Sequence, residues 1–247
     1  MKKAEMMTLK YDFEMLWALA NDTVRDLVKN RVVFFSEGNS KMGGSFASVS
    51  LMHVATCPEN VPCKAFCYCN GDGFKEWTIQ HRIQNTLVYM LYPVAFFEAV
   101  NAKMETVDRF RFHVAGDCPD LDYARRTFEA VANHPKCRTN IFTKQYTYWN
   151  AVLSENGFEH WNDVRAAVPN LFLKYSECPG FEMINPAGVP VARVLFRRSQ
   201  FEACSVICHG DCDECERHGL RGCFNISENE ILGLPVHGNG RKVKEDL

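Results

Sequence analysis

The chain has 247 residues, of which 47% are hydrophobic, so it can bury a full core without cross-links. Its 28 basic and 30 acidic side chains give a formal net charge of -2, which excludes a strong overall attraction to nucleic acid or anionic lipid. The amino terminus lacks the apolar run of a secretory signal, and no stretch of about 18 apolar residues could span a bilayer. We therefore expect a cytoplasmic protein, in which 12 cysteines are more typical of metal ligands than of disulfides.

The predicted elements alternate between helix and strand. Helical spacing of apolar residues between Asp12 and Asn30 predicts one amino-terminal helix. Residues 31–35 are β-rich, and Gly43 and Gly44 predict a turn after them. The remaining strands are predicted at 45–52, 110–117 (ending in a turn), 139–144, 170–176 and 191–196. The remaining helices are predicted at 75–103, which Pro93 must kink or divide, and at 121–134, 146–155 and 159–168.

This alternation predicts a parallel sheet, either open or curved into a whole or partial (β/α) barrel of the TIM type. Such sheets place their chemistry at the carboxyl ends of the strands, which we call the rim. His113 and Asp117 end one predicted strand and Lys144 ends the next, so we take all three as candidate cofactor-binding residues. A buried core histidine, a turn-capping aspartate and a solvated lysine are the competing interpretations.

Four cysteines near the carboxyl terminus have the spacing of metal ligands. Cys208, Cys212 and Cys215 follow the pattern C-x3-C-x2-C, and Cys223 adds a fourth thiol. Thiolates select zinc or iron–sulfur clusters, and four of them close a site. Acidic neighbours at 211, 213 and 214 should give no help to thiolate formation. We call these four residues the tail cysteines.

A second group, the first cysteine loop, consists of Cys57, Cys63 and Cys67 in the spacing C-x5-C-x3-C. Three ligands leave one position open, either on an iron of a [4Fe-4S] cluster or on zinc. In an extended segment Cys69 would point away from Cys67, so we leave it out.

Three further cysteines stand alone in the sequence. Cys118, Cys137 and Cys178 are most simply small buried hydrophobic residues. Cys118 and Cys178 follow predicted strand ends, so either could supply a missing ligand.

Several motifs follow one another between Asn39 and Phe224: NSKMGG, SVSLMHVATCPENVPCKAFCY, RFHVAGDCPDLDY, NIFTKQY and the C-x3-C-x2-C…C tail. In this order they resemble the phage gene product 88 proteins of bacteriophages and mobile elements. The resemblance implies an iron–sulfur protein with a radical-SAM-like partial barrel and a host-cytoplasmic location. It maps the family's two cysteine sets onto the first cysteine loop and the tail cysteines.

Radical SAM enzymes are a looser comparison. They also carry a three-cysteine loop after the first barrel strand, but with the spacing C-x3-C-x2-C. This chain also lacks a glycine-glycine-glutamate run after the second strand. Both departures put the use of S-adenosylmethionine in doubt, and enzymatic activity stays undecided.

Two functional hypotheses follow. The first is an iron–sulfur protein with one or two [4Fe-4S] clusters that binds a small molecule or exchanges electrons with a donor at the open iron. In it, residues 1–200 form the helix and barrel, and residues 201–247 form a metal-binding segment packed on the barrel. The second is a zinc-stabilised module that binds nucleic acid or protein through Arg193, Arg197 and Arg198, although the acidic tail disfavours DNA.

Overall fold

The computed structural model describes residues 12–39, 43–63, 67, 69, 75–195 and 198–235, and shows an α/β protein built on one eight-stranded sheet. The strand order is β1-β2-β3-β4-β5-β6-β8-β7, and within the described residues the sheet does not close into a complete barrel. Only the β1–β2 pair is antiparallel; the other neighbours run parallel. The strands are β1 Ser36–Asn39, β2 Gly43–Val49, β3 Arg109–Phe112, β4 Arg138–Thr143, β5 Leu171–Ser176, β6 Val191–Leu195, β7 Val206–Ile207 and β8 Ile231–Pro235.

Eight α-helices are described between and beside these strands. Asp12 and Asn21 cap the first two through their side chains, and Pro93 occupies the first turn of the fourth. The helices are α1 Phe13–Leu19, α2 Asp22–Lys29, α3 Glu76–Leu91, α4 Pro93–Met104, α5 Leu121–Asn133, α6 Tyr146–Glu155, α7 Trp161–Ala167 and α8 Cys212–Arg217. None of the helices in the described ranges combines the length and apolar character that a membrane span requires.

Three local predictions were wrong. The single amino-terminal helix is divided at Asn21, whose side chain begins α2. The β-rich stretch 31–35 is not a strand, because the Asn85 side chain binds both the backbone N–H and the carbonyl of Phe34 at 2.8 and 2.9 Å. The polar residues that follow form β1 instead, and Gly43 and Gly44 lie inside β2 rather than in a turn.

The two faces of the sheet have different chemistry. One face contributes residues such as Val49, Phe110 and Leu173 to a core that includes residues from α1 to α7. Because side chains alternate along a strand, the residues between these core positions, such as Arg111, Asn140 and Lys174, point to the opposite face. Helices therefore cover the apolar face, and the polar face is left for another part of the chain.

The carboxyl-terminal segment covers that polar face. A 3-10 helix at Arg198–Ala203 leads to β7, and α8 connects β7 to β8. Both strands extend the main sheet beside β6. Neither they nor α8 were predicted, because β7 and α8 are too short for a periodic pattern and β8 contains Gly233 and Pro235, which are unusual within strands. The proposed division at residue 200 stays a prediction, and residues 236–247 lie outside the described part.

The shared edge that defines the rim is confirmed, while the chemistry assigned to it stays a prediction. Strands β2 to β5 are consecutive parallel neighbours, so the segments that follow them emerge at one edge of the sheet. Gly116, in the loop after β3, has φ +79°. A Cβ at this position would lie 2.7 Å from the Leu51 carbonyl oxygen and 2.7 Å from Thr56 Oγ1. This glycine lets the loop after β3 pack against the segment that carries the first cysteine loop.

We predict that Gly116→Ala destabilises the fold by about 3 kcal/mol or more, because it adds backbone strain and a steric clash. Gly157→Ala is the matched control, since φ is +76° there but nothing lies within 4 Å of the added Cβ. Gly157→Ala should lower the free energy of unfolding by only about 1 kcal/mol, because it adds backbone strain at a positive φ but no steric clash. Urea denaturation of both variants measures the difference, and equal losses would show that the close approach at Gly116 is not a constraint.

Candidate metal centres

The first cysteine loop lies around Lys144 at the rim. Lys144 follows β4, is half-buried, and interacts electrostatically with the side chains of Cys63, Asp117 and Cys57. Burial disfavours the charged ammonium, but these neighbours outweigh burial and raise the pKa of Lys144. Lys144 also lies close enough to Cys67 to favour its thiolate. The structure therefore brings all three predicted loop ligands to one cation.

Asp117 ties three segments of the rim together. Its carboxylate accepts hydrogen bonds from Thr143 Oγ1 at 2.6 Å, from the Lys144 backbone N–H at 2.7 Å and from the Cys118 backbone N–H at 2.8 Å. Its own backbone N–H donates to Thr56 Oγ1 at 3.0 Å, one residue before the first loop cysteine. Burial raises the pKa of this carboxyl despite the hydrogen bonds. Asp117 thus positions Lys144, while a direct role in cofactor binding stays a prediction.

His113 points into the helix layer. It is 3% exposed, and its Nε2 lies 3.1 Å from the hydroxyl of Tyr123 on α5. Burial lowers the pKa of His113 to about 3, so the ring is neutral. This geometry favours the core-histidine interpretation, and its role in cofactor binding stays a prediction.

Cys69 contradicts the expectation that it points away from its neighbour. Residue 69 has 3-10 rather than extended backbone, and its thiol and backbone N–H both hydrogen bond to Cys67. These bonds lower the pKa of Cys67.

Sequence reasoning also undervalued Cys178, which is buried and hydrogen bonded to Cys63. The turn after β5 that brings it there gives no signal in the spacing of the cysteines.

The tail cysteines surround one cavity, as their spacing predicted. The cavity has a volume of about 190 Å³, and all four thiol-bearing residues line it. Cys212 hydrogen bonds to Cys223, and Cys208 and Cys223 both interact electrostatically with Cys215. The lining residues also include Arg138, Asp211 and Phe224.

Cations from the sheet approach this cavity. Lys174 on β5 has no exposed surface, and its Nζ donates to Asn140 Oδ1 at 2.6 Å and to the Phe172 carbonyl at 2.8 Å. The Asn140 side chain in turn hydrogen bonds to Cys223. The hydrogen bond from Cys212, followed by the charges of Lys174 and Arg111, lowers the pKa of Cys223. Lys174, Asn140 and Cys223 therefore form a connected chain from sheet to cavity.

The acidic residues of the tail give its thiolates no help, as the sequence predicted, since burial and then neighbouring charges that include Asp211 raise the pKa of Cys215. Asp213 pairs with Arg109 of β3 at 2.7 Å, and Glu214 pairs with Arg217 within α8. Both carboxylates are thus engaged by arginines, and the charges that act on Cys223 are cationic. The sequence could not show these cationic contacts, because Arg111 and Lys174 are far from Cys223 along the chain.

Aromatic packing fixes the tail on the polar face. The ring of Phe224, next to Cys223, lies 5.8 Å from Phe46 and 4.9 Å from Phe172. The guanidinium of Arg138 lies 4.5 Å from the centre of the Phe224 ring. These contacts are worth about 0.5–1.5 kcal/mol each beyond area burial, so they hold Cys223 against the sheet.

In the described parts of the chain, no three histidine, cysteine or carboxylate side chains already converge on a single ion position. The tail cysteines instead border a volume of about 190 Å³, many times the roughly 10–15 Å³ of cavity that one water needs. Soft thiols around such a space fit a cluster of iron and sulfide, in which each ligand binds a different iron.

Comparison of the chain with known protein families gave a match. A family model described as Gene product 88 matches residues 25–176, more than half of the chain. The match includes the first cysteine loop, Asp117 and Lys144, and ends before the tail cysteines. No curated protein matches the chain, and no solved structure does.

We predict that His113 makes stability depend on pH. Its folded pKa of about 3 lies below the unfolded value, so unfolding takes up a proton as the pH falls below about 6.5. Stability is full above that pH and should fall by about 1.4 kcal/mol between roughly pH 7.5 and 5.5. His113→Asn, which tolerates the positive φ of 59° at this position, should lack this component. Identical pH dependence in urea denaturation would contradict a neutral buried histidine.

Proposed function

The chain belongs to the gene product 88 family, a phage family, and we propose that it is an iron–sulfur protein with two separate [4Fe-4S] sites. The first cysteine loop would hold one cluster at the rim, and the tail cysteines would hold the other against the polar face. The observation that carries the proposal is the cavity lined by four cysteines beside the fully buried Lys174.

The negative charge of a thiolate-bound cluster supports the proposal of an iron–sulfur site beside Lys174. Moving an ammonium out of water costs several kcal/mol unless an opposite charge or hydrogen bonds compensate. Burial lowers the pKa of Lys174 to about 7, and the neighbouring Cys223 counteracts this shift. A thiolate-bound cluster is anionic, so it would stabilise the charged form of Lys174. Lys144 has the corresponding position among the loop cysteines.

The two cysteine sets are more consistent with two centres than with one shared centre. Cys57 and Cys63 lie at Lys144, beyond the end of β4, whereas Cys223 lies at Asn140 in the middle of that strand. Four residues of parallel strand separate these positions by about 13 Å. One cluster could not easily reach ligands at both places.

The roles of the two centres follow from their ligands. A cluster held by the first cysteine loop would bind a small molecule or exchange electrons with a donor, and the closed tail cluster would serve as a structural or relay centre. A cavity of about 450 Å³ lined by Thr56, Tyr89 and Asp120 offers space for a small molecule beside the loop.

An open sheet with helices on one face agrees with a radical-SAM-like partial barrel. S-adenosylmethionine is not part of the proposal, because the loop spacing departs from that family. The host cytoplasm is the proposed location.

The zinc-module alternative receives less support. Arg193 is engaged in an ion pair with Glu177. Arg197 and the side chain of Arg198 lie outside the described residues. The basic patch on which nucleic-acid binding depends is therefore partly neutralised.

We predict that anaerobically prepared protein contains about eight irons and eight sulfides per chain. Cys212→Ala combined with Cys223→Ala should reduce the iron content to about four, as should Cys57→Ala combined with Cys63→Ala. Cys137→Ala is the control, because this cysteine is 1% exposed and belongs to the helix-side core. Colourless protein that contains only zinc would contradict the proposal.

We predict that Lys174→Met weakens the tail cluster. The variant keeps the apolar stem but removes the buried charge and its bond to Asn140, and loss of such a supporting group typically costs about 10–100-fold in metal affinity. Iron release to a chelator should therefore accelerate at the tail site, and the reduction potential of that cluster should become more negative. Lys136→Met is the control, since Lys136 is exposed. Unchanged iron retention and potential in Lys174→Met would show that the lysine does not act on the cluster.

A further inference from the structure

We propose that Cys178 supplies a fourth thiol ligand to the rim centre, closing the position that the first cysteine loop leaves open. The inference rests on the proposed function and deepens it, since it decides what the rim centre can do. It comes from the position of Cys178 after β5, which neither the cysteine spacing nor the family match includes.

The turn after β5 directs Cys178 at the first cysteine loop. The Phe181 N–H donates to the Cys178 carbonyl at 3.0 Å, which closes a tight turn. Gly180 in this turn has φ +75°, and a Cβ added there would lie 3.6 Å from Cγ of Pro62. The turn therefore packs directly against the residue that precedes Cys63. The Cys178 side chain is buried, and it is hydrogen bonded to the Cys63 thiol.

Cys178 shares the electrostatic surroundings of the loop cysteines. The ammonium of Lys144 interacts with Cys178 as it does with Cys63 and Cys57. Tyr146, at the start of α6, interacts with Cys178 and Cys63 as well. Four thiols, three from the first cysteine loop and one from the turn after β5, therefore surround one lysine.

Cys118 shows that a position after a strand is not sufficient. It follows β3 much as Cys178 follows β5, and it is equally buried. Its thiol donates to the Asp120 carbonyl at 3.1 Å, a closer contact than the 3.9 Å between the Cys178 thiol and the Pro179 carbonyl. Its main electrostatic neighbours are the carboxylates of Asp117 and Asp120. These carboxylates disfavour a thiolate. Asp117 acts on Cys57 in the same way, but there the charge of Lys144 opposes it. The structure thus separates two cysteines that the sequence treats alike.

A rim cluster with four protein ligands has no iron free for substrate. Its function would be to exchange electrons with a donor, and any small molecule would bind beside the cluster rather than on it. The choice between the two proposed roles of the rim centre therefore depends on Cys178.

Mild oxidation with ferricyanide distinguishes three ligands from four. An iron without a protein ligand leaves an oxidised cluster readily, and the remaining three-iron cluster has its own electron paramagnetic resonance signal. We expect wild-type protein to keep about eight irons and Cys178→Ala to lose about one with appearance of that signal. Cys118→Ala, the matched control, should behave like the wild type.

Loss of one iron by the wild type, or full retention by Cys178→Ala, would overturn the assignment. The wild-type result alone decides the matter if the variant does not fold, which circular dichroism would reveal. Absence of iron and sulfide from the wild type would mean instead that the proposed function has failed.

Discussion

The placement of two lysines against cysteine thiols is the constraint on which the account of this protein depends. Lys174 is fully buried on β5, and Lys144 is half-buried after β4. Each lies beside one of the two cysteine sets. A cation in such surroundings requires an anionic or hydrogen-bonding partner. Lys174 already donates to Asn140 and to the Phe172 carbonyl, and Lys144 lies near the Asp117 carboxylate. Thiolates bound to a metal cluster would add negative charge at both positions, which protonated thiols would not.

The sheet supplies the cations and the connecting segments supply the thiols. Alternation along β3, β4 and β5 sends apolar side chains to the helices and charged ones to the opposite face. The tail then covers that face through Phe224 and the Asp213–Arg109 ion pair. At the rim, Asp117 joins the loop after β3 to the end of β4 and so fixes the backbone of Lys144. Rigid strands thus position charges around the segments that carry the thiols.

Much of this arrangement could be predicted from the sequence. Periodicity located most of the long elements, the strand-end rule placed the first cysteine loop, Asp117 and Lys144 on one rim, and cysteine spacing grouped the tail. Prediction from the sequence failed where contacts between residues far apart in the chain determine the local structure. Side-chain bonds from Asn85 hold Phe34 outside a strand. Lys174 meets Cys223 only after folding, and Cys178 meets Cys63 only through the turn after β5. No local pattern encodes these pairs.

The central claim is that two separate iron centres are present, each beside its own lysine. Anomalous diffraction from crystals grown without oxygen, recorded on both sides of the iron absorption edge, tests it most directly. The account predicts two iron peaks per chain, one among Cys57, Cys63, Cys67 and Cys178 near Lys144, and one among the tail cysteines near Lys174. A single peak shared by both cysteine sets, or a signal only at the zinc edge, would contradict it.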